Sequence, residues 1–317
     1  MEKYVVGIDL GGTKICCAVA DLKGNIKAQT TLATLAHEGE GAVLARMILA
    51  VETVMKEINA PLEDIKAIGI GSPGPLDAEK GIIVTTPNLP FKNFNIVNPM
   101  TERFNVPVYL DNDANVAAIG EYLLGAGKGT KNMVYVTVST GIGGGAIVNG
   151  KIYRGNTSNA LEVGHMTIVP DGPRCNCGNL GCAEAVASGT AIAKRAKEAV
   201  ESKAETSLKN YENVTSYEVF VEASKGDKVA KAILDSCLNY LGITVANIIT
   251  SFDPEVVIIG GGVSQGGDVV FDKVREVVNT RNFKTMADSC KVLPAGLGTN
   301  AGVVGAVALA ILETESV

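Results

Sequence analysis

The sequence predicts a two-domain α/β protein, and three observations carry that expectation. A chain of 317 residues is long for one hydrophobic core when domains run to about 150 residues. A strand, a Thr/Gly turn and a second strand open the chain and recur from Met133 onward. Apolar runs of strand length that end in glycine clusters are interleaved with segments of helical periodicity. The hydrophobic share of 46% is enough to bury a large core.

Taken in order, residues 4–8 are an apolar run ended by Asp9 and Gly11-Gly12. Residues 15–20 are a second strand, and Asp21, Gly24 and Asn25 turn the chain into a third run from Ile26. A glycine turn exposes backbone N–H groups and lets a phosphate approach closely, because no side chain stands in the way. Thr13 and Lys14 add a hydroxyl and a charge there, and Asp9 at the strand end is placed to hold magnesium through water. The plainer reading of Gly11-Gly12 is an ordinary hairpin turn. Residues 40–58 form a helix, with Val43, Met47, Val51, Val54 and Ile58 among those on one face. The strand at 65–70 ends in GSPGP, an irregular loop at a carboxyl end, where ligands bind in such sheets. The loop at 85–91 presents Asn88 between prolines, and a short helix is expected over 95–104.

A strand at 106–110 leads into Asp111-Asn112-Asp113, and 114–124 reads as helix. An aspartate at that handover has one ordinary role, the N-cap. Its functional role would be a general base that takes the proton of an attacking hydroxyl group. The strand at 133–138 enters Ser139-Thr140-Gly141, and Asn149-Gly150 suits a type I′ hairpin. Gly141, Gly143 and Ala146, with Glu162 downstream, fit a dinucleotide fingerprint, but that fingerprint needs a helix after the glycines. AIVNGKIY reads as strand, so a nicotinamide cofactor is excluded. Further on come a helix at 190–201, a polar connection at 202–213 and a capping box of Thr215 with Glu218. A long apolar helix through Val245 follows, then a strand at 256–259 ending in Gly260-Gly261-Gly262, and a last helix at 302–313.

The densest chemistry lies between Glu162 and Glu184. This stretch holds three of seven cysteines and one of two histidines in a loop rich in Gly, Pro and Asn. His165, Cys175, Cys177 and Cys182 make a set suited to tetrahedral zinc, although the spacing is not that of a zinc finger or ribbon. The alternative is four unrelated side chains, the cysteines acting as small buried hydrophobes. A four-ligand zinc leaves no vacancy for water, so its role would be structural. Such binding supplies roughly 10–16 kcal/mol of apparent free energy, ample to fix the loop. Glu162 and Glu184 would then stand at either end of it with His165, a polar cluster suited to hydroxyl groups; the ordinary fate of both acids is solvated surface.

A net charge of −6 with no Lys/Arg-rich run gives no reason to expect nucleic-acid binding. An odd, clustered set of cysteines and the absence of a leader point to the reducing cytoplasm. The first strand begins at residue 4, and the later apolar runs are punctuated by polar residues, so no membrane span is expected.

The pattern H-x9-C-x-C-G-x2-G-C-x-E, preceded by E-x-G-H, resembles the signature of the ROK family of sugar kinases and related repressors. GIDLGGTK at 7–14, GSPGP at 71–75, DNDANVAA at 111–118, STGIGGG at 139–145 and IIGGG at 258–262 extend the resemblance over essentially the whole chain. The two glycine hairpins look like the duplicated phosphate-binding hairpins of the actin, hexokinase and heat-shock ATPase superfamily, a ribonuclease H-like fold. The resemblance implies domains at 1–112 plus 302–317 and at 113–301, the latter with the zinc loop. It implies ATP with Mg²⁺ between the domains, contacted by Asp9, Gly11, Gly12, Thr13, Lys14, Thr140, Gly141, Gly189, Gly261 and Gly262. Asp113 matches the family's catalytic base, and Asn88, Asn112, Asp113, Glu162, His165 and Glu184 match its hexose contacts, the set resembling that of the ROK glucokinases. A homo-oligomer, dimer or tetramer, is implied as well. Family members often carry Asn-Asp where this chain has Thr299-Asn300, and those positions receive no role. A ROK repressor needs a helix-turn-helix ahead of the first strand, for which three residues leave no room.

Overall fold

The structure is a computed structural model that describes residues 2–86 and 88–315; Pro87, in the loop expected to present Asn88, lies outside the described residues. The chain divides into two compact units, one of residues up to Gly129 with Lys151–Ala160 and those from Gly296, the other of Thr130–Gly150 and Leu161–Ala295.

In the first unit the opening strands are β1 (Tyr4–Leu10), β2 (Lys14–Asp21) and β3 (Ile26–Ala33), followed by helix α1 (Glu40–Glu57) and β4 (Ile65–Ser72). A small antiparallel sheet of β5 (Leu76–Asp77), β6 (Ile82–Thr85) and β7 (Lys92–Asn95) comes next, then α2 (Val97–Phe104), β8 (Val108–Asn112) and α3 (Asp113–Leu124). The main sheet runs β3-β2-β1-β4-β8, with β1 antiparallel to β2 and parallel to β4. Alternation along β1 divides its side chains between two cores. Val6, Ile8 and Leu10 meet Val43, Met47 and Val51 of α1. Val5 joins Ala18 and Ala67 under Val303, Val307 and Ala310 of the C-terminal helix, Ala301–Glu315. Burial of the central strands on both faces explains why they read as continuous apolar runs.

That helix lies so close to the sheet that a Cβ on Gly69 would stand 2.1 Å from Ala306 O, and one on Gly7 2.4 Å from Val307 N. Gly69→Ala should therefore lower stability by about 1–3 kcal/mol, the usual cost of overpacking. An unshifted urea midpoint would mean that the helix can ride outward freely.

The structure differs from expectation in two places. Asn95 ends β7 instead of starting a helix: its side chain donates to Lys80 O at 2.8 Å and accepts from Asn98 N at 2.8 Å, so α2 opens after it. The units also divide after Gly129, not at 112/113. Helix α3 packs on the C-terminal helix through paired glycines, a Cβ on Gly120 falling 2.9 Å from Gly305 Cα, and so stays with the first unit.

The second unit repeats the plan. Strands β9 (Met133–Val138), β10 (Ile142–Val148), β12 (Val256–Gly260) and β13 (Lys291–Pro294) run β10-β9-β12-β13, again a hairpin followed by parallel strands, while the two-residue β11 (Lys151–Ile152) belongs to the segment counted with the first unit. Its helices are α4 (Ala183–Ala187), α5 (Gly189–Glu201), α6 (Ser216–Ser224), α7 (Lys228–Phe252), α8 (Asp268–Arg281) and α9 (Lys284–Ser289). The expected Thr215–Glu218 capping box opens α6. Helix α7 is long and apolar enough to cross a membrane by composition, but most of its apolar window is buried in the protein, with Leu234, Leu241, Val245 and Ile249 in the core.

Candidate active site

In the first unit, parallel pairing sets Asp9 opposite Gly71 and Gly71 opposite Asp111. The ends of β1, β4 and β8 therefore share one sheet edge, with Asp9 on the first and Asn112-Asp113 on the last. Burial pushes the Asp9 carboxyl above its usual range, and Lys14 opposes that shift. Asp9 stands against the start of the C-terminal helix, where a Cβ on Gly302 would come within 2.4 Å of its Oδ2. The turn after β1 closes with Gly11 N donating to Lys14 O at 3.0 Å, leaving Thr13 and Lys14 exposed. Asn88 lies beside this turn, since a Cβ on Gly12 would be 2.6 Å from Asn88 Cβ.

At the end of β8 the cap belongs to Asn112, whose side chain accepts from Ala114 N at 2.9 Å, while Asp113 is the first helical residue and exposed. Asp113 Oδ1 also accepts from Ala114 N, at 2.8 Å. The N-cap position, the ordinary alternative for Asp113, is thus held by Asn112. Loop Gly74 is next to Asn112, an added Cβ there lying 3.3 Å from Asn112 Nδ2.

In the second unit the turn after β9 is tied to the start of α5: Gly189 N donates to Ser139 O at 2.8 Å. A Cβ on Gly189 would lie 2.7 Å from that oxygen, and one on Gly261, which has φ 86°, would lie 2.4 Å from Val138 O. Both glycines are required by close approach of backbone to backbone. Thr140, Gly189 and Gly262 line a cavity of about 370 Å³, together with Lys197, Thr215 and Ser216. The last three escaped the sequence reading. Thr215 was visible only as a helix cap, and nothing local to α5 or α6 ties Lys197 or Ser216 to a turn far away in sequence.

The cysteine-rich loop also folds within the second unit. One nitrogen of His165 and the three sulfurs of Cys175, Cys177 and Cys182 all lie within 4.8 Å of one another. Cys177 Sγ is 3.7 Å from Cys182 Sγ, and His165 Nδ1 is 3.7 Å from Cys175 Sγ. Two zinc–sulfur bonds of about 2.3 Å at a tetrahedral angle put their sulfurs about 3.8 Å apart, so the donor set fits the ion. The loop is braced by isolated bridges between Thr167 and Cys182 and between Arg174 and Leu180. Gly181 makes its return possible: φ is +64°, and a Cβ would sit 1.5 Å from Val169 O.

The two framing glutamates stand at the ends of this loop. Glu184, in the first turn of α4, accepts from Ile142 N at 3.0 Å through Oε2. Gly141 lies against this carboxylate, since a Cβ there would fall 2.3 Å from that oxygen. Glu162 is exposed and opens the single 3-10 turn Val163–His165, its carbonyl accepting from His165 N at 3.0 Å. Just before it, buried Leu161 is held at φ 65°, a left-handed conformation costly for a bulky residue.

Two α/β units with sheets of the same order, each opened by a glycine-turn hairpin, define the actin, hexokinase and heat-shock ATPase class of fold. Residues 5–313 match the ROK family, and the chain belongs to that family. It is 35% identical over 309 residues to a glucokinase of Halalkalibacterium halodurans, covering 96% of this chain and 94% of that one. It is 33% identical over 315 residues to a xylose repressor of Caldicellulosiruptor bescii, covering 98% of this chain and 79% of the repressor. Among solved structures, a ROK hexokinase from Thermus thermophilus superposes with a TM-score of 0.85 at 35% identity, covering 99% and 100% of the two chains. A ROK glucokinase from Streptomyces griseus, in complex with glucose and AMPPNP, gives 0.76 at 32% identity over 97% and 99%.

Proposed function

We propose that this chain is an ATP-dependent hexose kinase that phosphorylates the 6-hydroxyl of glucose. The observation that carries the reading is the exposed carboxylate of Asp113 beside Asn112 at the carboxyl end of β8, in a chain whose second unit gathers Glu162, His165 and Glu184 around one loop. Asp113 accepts the hydroxyl proton as the terminal phosphoryl group passes to the sugar oxygen and ADP leaves. Asn88 and Asn112 orient the sugar from the first unit, while Glu162, His165 and Glu184 take the hydroxyls around C1 to C3. If His165 Nδ1 faces the sulfurs, Nε2 is left to a hydroxyl. The backbone of Gly11, Gly12 and Thr13 with Lys14, and that of Thr140 and Gly141, receives the phosphates; Gly189, Gly261 and Gly262 border the adenosine. Asp9 would hold magnesium, which when bound would supply charge neutralisation on the phosphates. Zinc on His165, Cys175, Cys177 and Cys182 fixes the loop without taking part in the reaction.

The similarity to glucokinases, one of them solved with glucose and AMPPNP, supports both the reaction and the sugar. The reading places the enzyme in the cytoplasm, as a homo-oligomer acting on small molecules, with no nucleic acid or membrane partner. Similarity to a xylose repressor favours one second reading, sugar sensing without catalysis. Kinetics with glucose, N-acetylmannosamine, fructose and allose separate these readings. ATP should be consumed only with a hexose present, and kcat/KM should be highest for glucose, because buried polar groups left unpaired penalise sugars lacking the matching hydroxyl. A rival sugar tenfold better would keep the kinase and change the substrate. Sugar binding with no ATP turnover for any of the four would establish the sensor.

A further inference from the structure

We propose that Arg154 is a positioning residue for the base, acting through Asp111; this rests on the assignment of Asp113 as that base. Residues Lys151–Ala160 interrupt the second unit's sequence and belong to the first unit. There Arg154 Nε donates to Asp111 Oδ2 at 2.7 Å, and Nη2 donates to Glu313 Oε1 at 2.7 Å. Asp111 is fully buried. Its other oxygen, Oδ1, accepts from Asn112 N at 2.8 Å and from Asn115 Nδ2 at 2.8 Å. A buried carboxylate is tolerated when its oxygens are matched by donors and a charge, and here all three donors converge on the residue two before Asp113.

Asn115 argues that this convergence is more than packing. It is 2% exposed, and its Oδ1 has no hydrogen-bonding partner among the described residues. An amide half satisfied in the core is a net cost, and what it gains is its bond to Asp111. The path is therefore short: Arg154 and Asn115 fix the Asp111 carboxylate, that carboxylate fixes the main chain of Asn112, and the next residue is Asp113. Sequence reading missed the arrangement because Arg154 stands 43 positions from Asp111, in a polar stretch with no motif of its own.

The test is a double-mutant cycle on the full-length protein with the best sugar of the four. A misplacement of about 1 Å costs roughly 100-fold in rate, so Arg154→Met should lower kcat about 10- to 100-fold, with the KM for sugar and for ATP within about twofold. Arg154→Lys, which keeps charge but loses the guanidinium fork, should recover only part of the loss. In the Asp113→Asn background, Arg154→Met should cost less than about threefold, because the group it positions no longer acts as a base. An equal loss in both backgrounds, or a loss expressed in KM, would overturn the proposal and leave Arg154 a structural brace. If Arg154→Met does not fold, Arg154→Lys in both backgrounds decides on the same criterion. Near-normal turnover by Asp113→Asn alone would instead remove the base assignment, a separate outcome.

Discussion

Asp113→Asn should lower kcat by about 10²–10⁴-fold while leaving sugar affinity nearly unchanged. The substitution preserves size and keeps an oxygen for Ala114 N, and the principal cap of α3 belongs to Asn112 in any case. Loss of helix stability therefore cannot account for a large rate effect. What disappears is the capacity to accept a proton from the attacking hydroxyl. Glucose binding measured by calorimetry beside steady-state turnover separates the two contributions. Turnover within about threefold of the parent would show Asp113 to be a surface residue beside a cap.

The second large effect concerns the metal loop. The parent protein should carry one zinc per chain, and Cys177→Ser should lose it together with thermal stability and sugar affinity. Cys177 is the exposed member of the set, whereas Cys175 and Cys182 are buried, so its replacement disturbs packing least. The loop between the two short bridges has little other regular structure, and roughly 10–16 kcal/mol of apparent binding energy has no substitute there. Acid should act in the same direction, since binding needs deprotonated thiols and neutral imidazole, and protons displace the ion as pH falls. Elemental analysis combined with activity decides: metal-free protein of full activity would end the idea.

Much of this was legible in the sequence, for identifiable reasons. The strand at 133–138 and the capping box at Thr215 were readable because their signals are local: apolar run, turn, cap. The metal set was readable because four ligands fall within eighteen positions, and the chain itself brings them together. Cofactor glycines were legible as a pattern, but not their cause, which is an approach from another element, as Gly141 meets Glu184 and Gly189 meets Ser139. The boundary at 112/113 was implied by the family resemblance, whereas α3 stays with the first unit through its packing on a helix nearly two hundred positions later. Leu161 shows a different limit. Its φ is positive just before the turn at Glu162, and no propensity marks a leucine for that conformation.

The C-terminal helix closes the second face of the first sheet, over Val5, Ala18 and Ala67. Synthesis on the ribosome runs the other way. The earliest strands emerge with one face left bare until residues 301–315 are translated, whereas Leu161–Ala295 and the hairpin at 130–150 can condense sooner. The nascent first unit therefore has to wait with an apolar sheet face exposed, which is where a chaperone would find it and where premature termination would leave it.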